Sequence, residues 1–323
     1  MQFGRRAALG GMMATGAVGP ARAQAWPTDP MTWIVPFAGG GVNDAFARPI
    51  AAHVSAALGQ PVIVDNRSGA GGTLGAAIAA RADADGYTML VGNTAHTYAP
   101  LIYPTTGFDL LRDFAPISAF ARVQQALVIN PAVLDVSTLQ QFIDITRNKP
   151  ATIDIGSAGV GTVNHLAIEL LEDHAKIELH HLPYRGSGPA IQDLVSGHIG
   201  GIFNPVANLI DYVRRGKLRV LGVAGRRREP LLPDVPTMDE AGLKDFRAVA
   251  WVGLFAPKLT PPPILDRVHD AVQAAVVSDT VKRLWVEQGA KVEPESRADF
   301  ARFVRQEAVR WQRIAKAAEI DMD

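Results

Sequence analysis

From residue 30 onward the chain alternates short β-branched runs with longer stretches rich in alanine and leucine, and glycine or proline marks most of the joints. Strands show a two-residue period and helices one of 3.6 residues, so this alternation predicts strand–helix–strand units and mostly parallel sheets. The first unit has a strand at 32–36, a turn at Gly39-Gly40-Gly41 and a helix at 44–58. Gly59 closes that helix, because glycine takes the left-handed conformation at no steric cost. Strands at 61–65 and 87–92 flank a turn and helix at 69–81. After residue 125 the rhythm returns. Ser137 and Gln140 form a capping box for a helix ending at Arg147, followed by a strand at 152–156 and a helix at 162–174. Segments 177–182, 190–196, 199–203, 206–215 and 218–223 continue the alternation.

Two apolar runs break the rhythm, 117–130 between Pro116 and Pro131, and 248–256 before Pro257. Each is expected to cross between two domains, and two crossings make the domains discontinuous. One is then built from 24–125 plus 250–323 and the other from 126–249. Pro261-Pro262-Pro263 opens a further helix at Ile264, and helical stretches at 279–288 and 297–318 end the chain. In the last of these, Phe300, Phe303 and Trp311 face inward and the charged residues outward. Trp251, on the second crossing, is read as core or hinge packing.

Composition removes whole classes of function. Lys plus Arg total 32 and Asp plus Glu total 32, so there is no basic surplus for a nucleic acid or an anionic membrane. With no cysteine, disulfides, thiolate nucleophiles, cysteine-ligated zinc and iron–sulfur clusters are excluded together. Residues 1–23 read as a cleavable signal peptide: Arg5 and Arg6, an uncharged stretch at 7–19, and Ala21-Arg22-Ala23 as the cleavage site. The expected location is the periplasm, by the general or the twin-arginine export route, and no later apolar run reaches the roughly 20 residues of a membrane span.

Catalytic motifs are missing. There is no Gly-x-Ser-x-Gly elbow, no phosphate-binding loop of the Walker type, no His-Glu-x-x-His and no Gly-x-Gly-x-x-Gly. Asp44 stands where a dinucleotide loop needs its third glycine, and a carboxylate there repels a pyrophosphate. His53, His96, His165, His174 and His269 are scattered, and His180-His181 would point to opposite faces of a strand. No catalytic residue, metal or cofactor is therefore expected. A secreted α/β enzyme acting on a small organic acid is the alternative reading.

What remains are glycine-rich loops between a strand and a helix N-terminus, where unpaired N–H groups favour an anion. The first contains Phe37, Ala38, Gly40, Gly41, Asn43 and Asp44; the second contains Ser157, Ala158, Gly161 and Thr162. Neither holds Lys or Arg, so an anion there would rest on N–H and hydroxyl donors and leave easily. Tyr184 either offers its hydroxyl to the same cleft or packs its own loop.

Read in order, the chain resembles the extracytoplasmic solute receptors of tripartite tricarboxylate transporters, the Bug family. The residues that carry the resemblance run along nearly the whole length. They are Ile34-Val35-Pro36-Phe37 with Gly39-Gly40 and Asn43-Asp44; Gly59-Gln60-Pro61-Val62; Asn66-Arg67 with Gly69-Ala70-Gly71-Gly72; and Asp85-Gly86-Tyr87-Thr88. Asp113-Phe114-Ala115-Pro116, Ser157-Ala158-Gly159 with Gly161-Thr162 and His165-Leu166-Ala167, and Pro183-Tyr184 with Gly186-Ser187 continue it, as do Leu232-Pro233-Asp234-Val235-Pro236-Thr237 and Gly253-Leu254 with Ala256-Pro257. The resemblance implies a two-lobed periplasmic binding protein of type II, each lobe a mostly parallel sheet flanked by helices. It further implies that a monomeric receptor encloses a small carboxylate between the two loops and hands it to a membrane permease. His165 belongs to the second-loop motif. Asn93-Thr94-Ala95-His96 and Asn204 depart from the family's usual residues at positions expected to face the ligand.

Overall fold

A computed structural model of the chain describes residues 26–103 and 105–317. The signal-peptide reading of 1–23 lies outside these residues. The first lobe opens with β1 (Met31–Val35), α1 (Val42–Leu58), β2 (Val62–Asn66), α2 (Thr73–Ala80) and β3 (Thr88–Asn93). Two short helices, α3 (Ala99–Ile102) and α4 (Leu110–Asp113), lead into the long strand β4 (Phe114–Ile129). The second lobe follows with α5 (Leu139–Asn148), β5 (Asp154–Ser157), α6 (Val163–Ala175), β6 (His180–Pro183), α7 (Ser187–Ser196), β7 (Gly201–Pro205), α8 (Ile210–Arg214) and β8 (Arg219–Val223). The chain returns through β9 (Val249–Pro257) and ends in α9 (Pro262–Val276), α10 (Asp279–Glu287) and α11 (Arg297–Ala317).

Among the described residues, nine strands form one curled sheet in the order β2-β1-β3-β9-β4-β7-β5-β6, with β8 also on β4. Pairings within each βα run are parallel, β1 with β2 and β3, and β5 with β6 and β7. The crossing strands are antiparallel to everything they meet. β4 belongs to both lobes: its first part, to Gln124, pairs with β9, and Gln125–Ile129 pairs with β7 and β8. The first crossing therefore begins earlier than its apolar run suggests, at Phe114, and takes Pro116 into the strand. Pro116 is tolerated because the register slips between it and Ser118, a bulge where one ladder hydrogen bond is missing in any case.

Helices cover both faces of each half. Met31, Trp33 and Val35 alternate inward from β1 onto Phe46, Ile50 and Val54 of α1 and Val268 and Val272 of α9. Behind the same strands, Ile34 and Leu90 meet Ala76 of α2 and Phe300 and Val304 of α11. In the second lobe, Phe142 of α5 and Leu166 and Leu170 of α6 close one face, and Ala190 and Leu194 of α7 the other. The capping box of α5 sits one residue later than expected. Ser137-Thr138-Leu139-Gln140-Gln141 contains two overlapping boxes, and Thr138 with Gln141 forms because the Gln141 carboxamide reaches the N–H groups of both Ser137 and Thr138.

The two crossing strands are not the sole link between lobes. α11 is 21 residues long, about 30 Å at the usual helical rise. Its start packs in the first lobe, whereas Trp311, Ile314 and Ala315 lie in the second-lobe core with Leu166, Leu170 and Phe246. Tyr98 and Ile102, around α3, join that same core.

Candidate functional site

Both glycine-rich loops leave the carboxyl ends of strands, the edge where open α/β sheets present their sites. In the first, Gly40 turns the chain with φ of +76°, and Asp44 fastens the turn from inside the helix. The Asp44 carboxylate accepts from Gly40 N at 2.9 Å, Arg48 Nε at 2.8 Å and Asn66 Nδ2 at 3.0 Å. Asn66 also donates to the Phe37 carbonyl at 3.0 Å, tying the end of β2 to the loop. The Arg48 hydrogen bond, helped by Gly40 and Asn66 and opposed by burial, holds Asp44 down to about 2. Asp44 thus enters the site as an internal clamp. Gly41 N meanwhile donates to the Ala38 carbonyl at 3.2 Å.

No side chain caps α1, so the site's anion-favouring donors lie there rather than in the turn. Asn43, in that first turn, is buried, and its Nδ2 has no partner. Its Oδ1 accepts from Asn93 Nδ2 at 3.3 Å, which draws the end of β3 to the loop. Asn93 caps the following turn, accepting from Ala95 N at 3.0 Å, while Asn93 N donates to His96 Nδ1 at 3.0 Å. His96 is buried against Phe37 and Phe108, and burial pushes it down to about 4, so it is neutral. The Thr94 hydroxyl accepts Trp251 N at 2.9 Å and so couples this turn to β9.

The second loop is more tightly bonded to itself. The Thr162 hydroxyl caps α6 by accepting from His165 N at 3.3 Å, and donates to the Gly159 carbonyl at 2.8 Å. Gly159 N donates to Ser157 Oγ at 3.1 Å, and the Ala158 carbonyl accepts from Gly186 N at 3.1 Å. Gly161, with φ of +72°, donates its N–H to His165 Nδ1 at 3.1 Å. That acceptor role places the proton of neutral His165 on Nε2, 3.2 Å from Glu169 Oε1. His181 lies flat on His165, ring centroids 4.0 Å apart, with Nε2 2.7 Å from Ser157 Oγ.

A path of contacts joins the two loops: Asn43 to Asn93, the turn after β3, and then Tyr98, whose hydroxyl donates to the Gly161 carbonyl at 2.8 Å. Asn164, at the start of α6, donates to Gln125 on β4 and to the Phe203 carbonyl on β7. Asn204 follows, buried, and accepts from Asn208 at 2.8 Å. Tyr184 turns its hydroxyl away, to Asp193 of α7 at 2.7 Å. Burial, with that carboxylate, pushes the phenol up to about 12.

Sequence reasoning named Asn66 only as part of the resemblance, passed over Tyr98 and Asn164, and weighed His181 only to set it aside as a metal ligand. A polar residue ending a strand could have signalled Asn66. Tyr98 gives no local signal, because its partner is 63 positions away. Among the described residues no group of three or more His, Asp or Glu could hold a metal ion, and no helix is long and apolar enough to cross a membrane. A concavity of about 920 Å³ between α5, α6 and the end of α11 has Glu169 and Glu172 in its lining and no residue of either loop.

Residues 46–320 match the model of the tripartite tricarboxylate transporter family receptor. A relative from Pseudomonas sp. (strain P51), a UPF0065 protein in the tcbD-tcbE intergenic region, is 37% identical over 316 residues, 97% of this chain and 94% of its own. R. palustris Rpa4515 with adipate superposes with a TM-score of 0.78 at 34% identity, covering 92% of this chain and 99% of that one. MatC of Rhodopseudomonas palustris with bound malate gives 0.75 at 34% identity, covering 90% and 99%.

Proposed function

Because this chain belongs to the tripartite tricarboxylate transporter receptor family, we propose that it is a periplasmic receptor that captures a small carboxylate between its lobes and delivers it to a tripartite tricarboxylate-type permease. The observation that carries the reading is that two glycine-rich loops from opposite lobes are linked by a path of hydrogen bonds through Asn43, Asn93, Tyr98 and Gly161. The uncapped start of α1, with the unpartnered Asn43 amide inside it, supplies donors to one carboxylate. The Ser157–Gly161 turn closes over the ligand from the other side. Arg48 is committed to Asp44, so the loops carry no free cation of their own, and a ligand held by neutral donors exchanges readily. The adipate and malate found with two relatives are consistent with this chemistry.

The lobes, 24–125 plus 250–323 and 126–249, rotate about β4 and β9, with the end of α11 riding on the second. A panel of mono- and dicarboxylates tests the reading by thermal shift and calorimetry. A true ligand at 100 times its dissociation constant adds about 2.7 kcal/mol of stability. A broad panel that moves neither readout refutes carboxylate capture.

A further inference from the structure

We propose that the stacked His165–His181 pair makes capture by the second loop depend on pH, the loop keeping its ligand geometry while both rings are neutral and losing it when the pair takes up a proton. This rests on the reading that the 157–162 loop touches the ligand. His165 Nδ1 accepts the Gly161 N–H at 3.1 Å, which a nitrogen carrying its own proton cannot do. His181 lies against the same ring, its plane tilted by 14° at a 4.0 Å separation, so two imidazolium charges would repel at contact distance.

The groups around the pair are few. Glu169 and Glu172 face it from α6, with Glu169 Oε1 3.2 Å from His165 Nε2. From β6 comes His180, whose Nδ1 is 2.6 Å from Asp154 Oδ1 of β5. From the first lobe, the phenol of Tyr98 meets Gly161. Burial, and then the charges of His165 and His180, push His181 down to about 4, so its neutral form prevails near neutral pH.

A proton on His165 Nδ1 sets one N–H against another and frees the Gly161 backbone. The Gly161 carbonyl is also the acceptor of Tyr98, so the loss spreads to the contact between lobes. Added positive charge alone would attract a carboxylate, so the sign of the effect separates the two causes: loss of the clamp requires affinity to fall on acidification.

Adipate serves as the probe. From about pH 8 to about pH 5.5 its affinity for the wild type should fall about tenfold, the scale of one lost hydrogen bond with its loop. His165→Gln, whose carboxamide oxygen can accept from Gly161 but does not titrate, should show less than about a twofold change, with the titration of adipate itself common to both. In the ligand-free wild type, the ring signals of His165 and the Gly161 amide should move together in NMR titration, because the ring nitrogen accepts that amide. A His165 ring that takes up a proton beside a stationary Gly161 amide, or an affinity that rises in acid, overturns the proposal. If adipate binds at no pH, the functional reading fails for that probe, and the NMR titration still decides the switch.

Discussion

Asp44→Ala is the most informative single change, because a carboxylate beside a carboxylate-binding loop could be read as a repeller. The structure makes it a clamp. Its removal leaves Gly40 N and Arg48 Nε without this acceptor and Asn66 Nδ2 with the Phe37 carbonyl alone. Two bonds from neutral donors to a carboxylate contribute about 1.5 kcal/mol each. The Arg48 pair adds about 0.5 kcal/mol at most, since its guanidinium is 54% exposed. The cost is therefore about 3 kcal/mol, or roughly 5 °C of melting temperature for a chain of this length. Asp44 titrates in the folded state near 2 against an ordinary 3.8, so its contribution is complete above that ordinary value and disappears as pH falls through 2. The gap between wild type and variant should accordingly be full at neutral pH and shrink in strong acid. Gly40 without its clamp should lower adipate affinity more than tenfold by calorimetry, about 1.4 kcal/mol or more. An unchanged melting temperature, or tighter adipate binding, would show that Asp44 repels rather than organises.

Tyr98→Phe removes one hydrogen bond to Gly161 and should weaken adipate binding about fivefold while moving the melting temperature by less than about 2 °C, because the ring stays packed. Gly161→Val should weaken binding more than Gly40→Val: both have positive φ and share a strain of about 1–2 kcal/mol, but a Cβ at 161 also meets Ile102 at 3.0 Å, and a Cβ at 40 meets nothing within 4 Å. Trp311→Ala should cost about 4 kcal/mol in thermal unfolding, and it should destabilise the second lobe at least as much as the first. Hydrogen exchange confined to the first lobe would contradict that placement.

Much of the scaffold is legible in the residues. Alternation in β1 appears because Met31, Trp33 and Val35 face one core while Ile34 faces another, and α1 carries its stripe at Phe46, Ile50 and Val54. The glycines of the two loops are visible because positive φ at 40 and 161 admits few other residues. Bonding within the loops is not visible. Whether Asp44 meets solvent or Asn66 depends on how β2 lies beside β1, and a parallel register carries no adjacent sequence signal. The same holds for His165 and His181, which stack because α6 packs back over β6, a crossover contact with no spacing rule. Pro116 hides the start of β4, since proline ordinarily ends a strand and only the bulge admits it.

The reach of α11 governs the order in which the molecule can be completed. The chain emerges from any channel amino-terminus first, and the strands of the second lobe are all out by residue 223. Yet the core they enclose lacks Trp311, Ile314 and Ala315 until α11 has appeared. The first lobe waits likewise for β9, α9 and the front of α11. The second half therefore cannot seal before residues 311–315 have passed, and its apolar residues stay uncovered until then. A chain stopped before Trp311 should remain protease-sensitive in its second half, the half whose core is still open.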